Sequence, residues 1–93
     1  MRRPIHPGNI LRREFMTRSL SAAALARAVH VPANRIGQLI AGRRGITADT
    51  ALRLGVAFGT TPEFWMNLQS SYELRKVERN ARLMKEINTI KRI

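Results

Sequence analysis

The chain has 93 residues, enough for one small domain with a single hydrophobic core. It contains no cysteine, which excludes disulfides and cysteine-ligated metal sites, and none of its apolar runs approaches the roughly 20 residues of a membrane-spanning helix. Seventeen Lys and Arg against six Asp and Glu give a net charge of +11, which favours a phosphate polyanion as partner over a merely soluble basic surface.

Every predicted element is a helix, because apolar residues recur at helical spacing between Gly, Pro and Thr, and strand alternation is absent. Residues 1–6 read as a flexible basic arm. Pro7 opens the first predicted helix, which ends near Arg18. Ser21 is a good N-cap for the second, an alanine-rich helix that extends to about Val29.

The third predicted helix is short and follows a tight turn. His30 occupies the turn, and a positive φ there is tolerated by His better than by bulky residues. Pro32 suits the first turn of the helix, which continues to about Ile40. Gly42 ends it. The turn between the second and third helices is therefore only three or four residues long.

Two further helices complete the predicted domain. Thr47 caps the fourth, which ends near Gly59. Thr61 followed by Pro62 signals the start of the fifth, which ends between residues 75 and 80. The sequence thus predicts an all-α fold of five helices, with no internal repeat and no second domain.

The last stretch, residues 80–93, is basic and places Leu83, Ile87 and Ile90 on one face of a possible helix. Three interpretations stay open for it at this point. It is an extra amphipathic helix, a frayed tail, or a segment that folds on a partner.

The third helix divides into an apolar and a polar side. On a helical wheel Ile36, Leu39 and Ile40 cluster in a narrow arc, and Asn34 and Gln38 lie almost opposite. A helix of this kind, joined by a short turn to the helix before it, is the helix-turn-helix arrangement. Its second helix enters the major groove of DNA.

The residue types on and beside this helix suit DNA. The two amides can pair bidentately with adenine edges, and Ala33 is small enough to meet a thymine methyl group. Arg43 and Arg44 follow in the loop, where cations meet phosphates and position the protein without reading sequence. Residues 1–44 as a whole contain nine Arg and one acid. The spacing, the loop and the charge together favour DNA binding over a solvated surface.

Three blocks of the chain resemble the HigA (VapI-like) antitoxins, a branch of the Xre or lambda-repressor-like DNA-binding superfamily. The blocks are IHPGNILRREF, GRRGITADTALRLGVAFGTTPEFW and WMNLQSSYEL. Together with the helix-turn-helix between them, the similarity spans about residues 5–79. The HPG-x-IL opening and the TPEFW-x-NLQ block are specific when they occur in this order, whereas a helix-turn-helix alone would identify only the superfamily.

The resemblance implies a function and its partners. It implies a five-helix, lambda-repressor-like helix-turn-helix domain that dimerises, binds a palindromic operator and represses its own operon. We divide the chain into this DNA-binding and dimerisation domain, residues 1–79, and a basic C-terminal tail or helix, residues 80–93. The resemblance also implies a second partner, a RelE-like ribonuclease toxin that the protein neutralises. The alternatives are a stand-alone Xre-type regulator, or a protein-interaction module with a vestigial helix-turn-helix. We expect a cytoplasmic protein that is not an enzyme and needs no cofactor or metal.

The resemblance also implies roles for residues of the helix-turn-helix, when the superfamily's DNA contacts are transferred to the matching positions of this chain. The bases are read by Ala33, Asn34 and Gln38. The DNA backbone is held by Arg35, Arg43 and Arg44. One departure concerns the start of the second helix, where the superfamily often has a polar residue and this chain has Ala22. Ser21 or a backbone N–H would then make the phosphate contact.

Apolar residues of the fifth helix admit two interpretations. Either they close the core, or part of them forms the dimer interface, and we favour a mixture because five short helices enclose little interior. The candidates are Phe64, Trp65, Leu68 and Tyr72. We do not expect either histidine to bind a metal ion. His6 belongs to the start of the first helix and His30 to the turn.

Overall fold

The computed structural model describes residues 3–93, which form six α-helices with no strand among them. The helices are α1 (Pro7–Thr17), α2 (Ala22–Val29), α3 (Ala33–Ile40), α4 (Ala48–Phe58), α5 (Pro62–Glu78) and α6 (Ala81–Ile87). The predicted all-α fold of five helices is confirmed, with one more helix after it. Met1 and Arg2, which begin the predicted basic arm, lie outside the described residues.

Capping side chains set the helix starts where the sequence predicted them. The hydroxyl oxygens of Ser21, Thr47 and Thr61 each accept a hydrogen bond from the backbone N–H three residues further on. Each bond satisfies a donor that the first helical turn leaves without a partner. Pro32 differs slightly from expectation: its extended backbone, with φ −61° and ψ 143°, makes it the N-cap of α3 rather than its first residue.

The core lies between the first five helices. α4 packs against α5, α2 packs against α3, and α1 packs against both α3 and α5. Twelve apolar side chains form the buried cluster, which comprises Leu11, Phe15, Leu25, Ala26, Val29, Val31, Ile36, Leu39, Ile46, Ala51, Leu54 and Trp65. The core therefore includes the apolar side of the third helix, and this fixes the orientation of its polar side.

Gly8 sets the distance between α1 and α3. A Cβ atom at this position would lie only 1.9 Å from the carbonyl oxygen of Leu39, at the end of α3. The first turn of α1 therefore rests directly on the last turn of the third helix, and no side chain larger than hydrogen fits between them.

Residues 81–87 form a helix, so the first of the three interpretations of the C-terminal segment is confirmed for them. Asn80 caps α6 by accepting a hydrogen bond from the N–H of Leu83 at 3.1 Å, and α6 contacts α5. None of its apolar side chains is buried: Leu83 is 39% exposed and Ile87 is 41% exposed. Within residues 3–93, none of the helices has the length and apolar character needed to span a bilayer.

Candidate nucleic-acid interface

The connection between α2 and α3 is a tight turn held from both sides. His30 adopts the left-handed conformation with φ 60°, as predicted, and the N–H of Val31 donates to the carbonyl of Ala26 at 3.0 Å. Arg53 of α4 reaches the turn from outside the motif. Its Nη1 donates to the carbonyl oxygens of Val29 at 2.9 Å and His30 at 3.2 Å. No sequence signal pointed to Arg53, because no spacing rule relates it to the end of α2.

The third helix presents the polar side that the wheel predicted. Ile36 and Leu39 are fully buried beneath it. Ala33 and Asn34 are exposed, and Gln38 is half-buried. We call these three residues, which the sequence predicts to read bases, the reading face. Because the helix is anchored from below, its polar side chains project from a fixed backbone, as a contact with base edges requires.

A hydrogen bond links the reading face to the loop that follows it. The Nε of Arg44 donates to Oε1 of Gln38 at 3.0 Å. The N–H of Arg43 donates to the Gln38 carbonyl at 2.9 Å, and both arginines remain exposed. The sequence predicted separate roles for the amide and the arginines, and the structure brings Gln38 and Arg44 into direct contact.

The arginine loop, residues 41–47, is fastened to α5. Oε1 of Gln69 accepts a hydrogen bond from the N–H of Ile46 at 2.7 Å. Gly45 lies against the same side chain, since a Cβ there would come within 2.8 Å of it. Gln69 thus holds the loop in one position, and the sequence offered no signal for it beyond its place in the WMNLQSSYEL block.

His6 ties the start of α1 to the same region. Its Nδ1 accepts a hydrogen bond from the N–H of Gly8 at 2.9 Å, so it is the N-cap of α1. Its ring meets Tyr72 edge-on, with centroids 4.7 Å apart. Burial lowers the pKa of His6, the charge of Lys76 lowers it further, and hydrogen bonding to the Arg44 backbone opposes them. The neutral imidazole is therefore the form that the fold favours.

We expect the stability of the protein to fall as the pH drops below about 6.5, the ordinary pKa of histidine. Because the pKa of His6 is lowered by folding, the unfolded chain takes up the proton first. The stabilisation is complete above the unfolded pKa and is lost as the pH falls through the folded pKa. Urea unfolding across this range should show the decline, and His6→Asn, which can still cap α1, should reduce it. The same pH dependence in both proteins would contradict this assignment.

Ser21 and Arg35 lie where DNA-backbone contacts were predicted. Ser21 is exposed at the start of α2, and its Oγ accepts a hydrogen bond from the N–H of Ala24 at 3.0 Å. Its hydroxyl hydrogen is left free to donate to an oxygen outside the chain. Arg35 is half-buried on α3, beside the reading face. Ser21, Arg35, Arg43 and Arg44 all belong to the helix-turn-helix or the loop after it.

The four apolar candidates of α5 occupy different environments. Trp65 is fully buried, and its Nε1 donates to Oγ1 of Thr60 at 2.8 Å, so this side chain belongs to the core and offers no surface. Leu68 packs against the core, and Tyr72 is half-buried beside His6. Phe64 alone among the four is exposed, at 39%. A dimer role for Phe64, Leu68 and Tyr72 stays a prediction.

Known proteins resemble this chain in both sequence and fold. A family model described as helix-turn-helix matches residues 11–65. Virulence-associated protein I of Dichelobacter nodosus is 49% identical over 77 residues, which cover 82% of this chain and 71% of that protein. A HigA-family addiction module antidote protein from Coxiella burnetii is 44% identical, with a TM-score of 0.90 over 99% of each chain. Pseudomonas aeruginosa antitoxin HigA, solved with the higBA promoter, is 47% identical, with a TM-score of 0.86 over 97% of each chain.

The fold and the matched segment define a helix-turn-helix protein of the Xre type. Within that class, the chain belongs to the HigA (VapI-like) antitoxin family. The relatives whose names state a role are transcriptional regulators and antitoxins, which are not enzymes, as the sequence predicted.

Proposed function

We propose that this chain is a DNA-binding antitoxin that represses its own operon from the cytoplasm. The observation that supports the proposal most strongly is the reading face, held rigid by the core beneath α3 and bonded to Arg44. The similarity over 97% of the chain to an antitoxin solved with promoter DNA adds to it. A rigid polar helix face beside an arginine loop is the geometry with which proteins of this fold read a major groove.

The reading face would supply sequence specificity. Asn34 and Gln38 each offer a donor and an acceptor, which match the N7 and N6 groups of adenine. Ala33 would contact a thymine methyl group. Because Oε1 of Gln38 has two lone pairs, it can keep its bond to Arg44 while it accepts a second one from a base.

The surrounding groups would supply affinity. Arg35, Arg43 and Arg44 would meet phosphates, and the Ser21 hydroxyl would donate to one at the start of α2. The net charge of +8 over residues 1–44 attracts DNA of any sequence and accelerates association. Base readout and phosphate binding are thus assigned to different groups of one compact surface.

Replacing Arg44 with alanine should weaken binding to operator and random DNA and lower the salt slope by about one for each phosphate that the protein no longer neutralises. Arg43→Ala should behave in the same way. Binding isotherms at four salt concentrations would measure the slope. Arg82→Ala removes the same charge from α6 and serves as the matched control, with its slope expected to stay near wild type. A changed base preference with an unchanged slope would contradict the phosphate assignment.

The proposed function includes two protein partners. As a homodimer, the protein would place two reading helices in successive major grooves about 34 Å apart, on a palindromic operator. Its second partner would be a RelE-like ribonuclease toxin. A stand-alone regulator is the alternative function; it shares every DNA contact and lacks the toxin.

Two measurements on the same sample test this function. The protein is co-expressed with the product of its neighbouring gene, purified, and titrated against DNA from its own promoter and a scrambled duplex. We expect co-purification and at least about tenfold preference for the promoter DNA. Promoter preference without a co-purifying partner would favour the stand-alone regulator. Equal affinity for both duplexes would contradict sequence-specific repression.

A further inference from the structure

One side of α5 begins in the core and reaches the surface near the end of the helix. Trp65, Gln69, Tyr72 and Lys76 recur at spacings of four, three and four residues, which places them on one face. We call these four residues the α5 stripe. Trp65 is buried, Gln69 and Tyr72 are half-buried, and Lys76 is exposed. The stripe therefore leads outward from the core to a cation.

The middle of the α5 stripe lies beside the arginine loop. Oε1 of Gln69 accepts the hydrogen bond from the N–H of Ile46 at 2.7 Å, near the end of the loop. One turn further along α5, the Tyr72 ring meets the His6 ring, with centroids 4.7 Å apart. A Cβ atom on Gly42, near the start of the loop, would lie 3.9 Å from that same imidazole. Both ends of the loop are therefore close to this side of α5.

Lys76 continues this row of contacts. Its Nζ lies over the Tyr72 ring, 5.2 Å from the centroid, so the aromatic face holds the ammonium group beside the ring that packs on His6. The charge of Lys76 contributes to the lowered pKa of His6, and the backbone of Arg44 forms a hydrogen bond with the same imidazole. Lys76 is thus close to the arginine loop, with the His6–Tyr72 pair between them.

The charge of Lys76 is available to a partner outside the chain. None of the three ion pairs within residues 3–93 includes Lys76, although Glu73 lies one turn before it. The next carboxylate along the helix, Glu78, pairs with Arg75. An exposed ammonium group that an aromatic ring holds in place, and that has no carboxylate partner, suits a phosphate.

We propose that Lys76 binds a phosphate of the operator and extends the DNA-binding surface from the helix-turn-helix onto α5. This inference rests on the proposed function. The arginine loop connects the two parts of this surface, since Arg44 is bonded to Gln38 of the reading face and Ile46 is bonded to Gln69 of the α5 stripe. Continuity with the predicted phosphate contacts of the loop favours DNA over an acidic protein as the partner of Lys76.

Helix geometry limits which phosphate this lysine can reach. At about 1.5 Å per residue, Lys76 lies about 10 Å further along α5 than Gln69. Phosphates of one strand recur about every 3.4 Å along the axis of DNA. The phosphate bound by Lys76 would therefore lie within about three nucleotides of the one bound by the arginine loop.

The test combines three substitutions with chemically altered DNA. Lys76→Gln removes the ammonium group, and Lys76→Arg keeps a cation that can also stack on Tyr72. Lys85→Gln removes the same charge from an exposed position of α6 and is the matched control. Circular dichroism and thermal melting establish that each variant is folded. Binding isotherms on promoter and scrambled duplexes at four salt concentrations give the salt slope. Promoter duplexes in which one phosphate at a time is replaced by a neutral methylphosphonate locate the contact.

We expect Lys76→Gln to lower the salt slope by about one on both duplexes and to leave the preference for the promoter unchanged, because a phosphate contact carries no sequence information. Lys76→Arg should restore the slope, and Lys85→Gln should stay near wild type. One methylphosphonate, within about three nucleotides of the phosphate that Arg44 contacts, should weaken binding of wild type and leave binding of Lys76→Gln unchanged.

Three results would overturn the inference. If Lys76→Gln changes the slope no more than Lys85→Gln does, while Arg44→Ala still lowers it, the proposed DNA binding stands without Lys76. The same holds if Lys76→Gln abolishes co-purification of the toxin with DNA binding unchanged, which would assign Lys76 to a protein interface. If its slope falls but it responds to every methylphosphonate as wild type does, Lys76 acts only through the long-range field. A wild-type protein that binds neither duplex would overturn the proposed function as well.

Discussion

Replacing Trp65 with alanine is expected to lower the free energy of unfolding by about 3–5 kcal/mol. The indole is fully buried, packs edge-on against Phe64 with ring centroids 5.1 Å apart, and lies 5.9 Å from the ring of Phe58. The substitution would leave a large cavity between α4 and α5 and would remove the hydrogen bond to Thr60. Small domains have a total stability of about 5–15 kcal/mol, so the variant should be close to unfolding at 37 °C.

Urea denaturation at several protein concentrations would measure this effect. Trp65→Phe is the control, since it retains most of the ring volume and loses mainly the Nε1–H bond, for a smaller cost of about 1–2 kcal/mol. If Trp65 belongs to the core, Trp65→Ala should have a lower free energy of unfolding than wild type at every protein concentration. If it weakened dimerisation and left unfolding of the monomer unchanged, the assignment of Trp65 to the core would be wrong.

Replacing Gln38 with alanine is expected to cost about 1–3 kcal/mol of binding free energy on the correct operator. That is roughly a fivefold to 150-fold loss of affinity. The buried residues of α3 fix the backbone beneath the amide, and the hydrogen bond from Arg44 holds the amide itself, so little side-chain entropy is lost when it binds an adenine edge. The fold should survive, because substitutions at partly exposed polar positions are usually within about 0.5 kcal/mol of neutral.

The bond between Gln38 and Arg44 adds a second, smaller effect. Without the amide, Arg44 loses the acceptor that orients its guanidinium, so affinity for random DNA should fall slightly as well. A double-mutant cycle with Arg44→Ala on operator DNA would measure the coupling between the two side chains. Asn67→Ala, at an exposed amide of α5, is the matched control and should bind both duplexes as wild type does. Equal losses on operator and random DNA would place Gln38 among the backbone contacts, and no loss on either would make it a solvated residue.

The sequence by itself determined the helices and the orientation of α3. Short-range signals are enough for this, because a cap acts on a donor three residues away and a wheel depends only on helical periodicity. Ser21, Thr47 and Thr61 start their helices as predicted, and Ile36 and Leu39 are buried as predicted. The family followed from short blocks in a fixed order.

The tertiary structure alone decided which helix faces and side chains meet across the fold. Apolar residues lie on all sides of α5, and Met66, Leu74 and Val77 among them are exposed. Periodicity therefore could not distinguish the side of α5 that faces the core from a side that could form a dimer interface. The bonds that hold the turn and the loop join residues far apart in sequence: Arg53 to Val29 across 24 positions, and Gln69 to Ile46 across 23. Such contacts depend on how rigid helices pack, and no local spacing encodes them. Packing therefore fixed the positions of the turn and the arginine loop, whereas the sequence had supplied the residues that we assign to DNA.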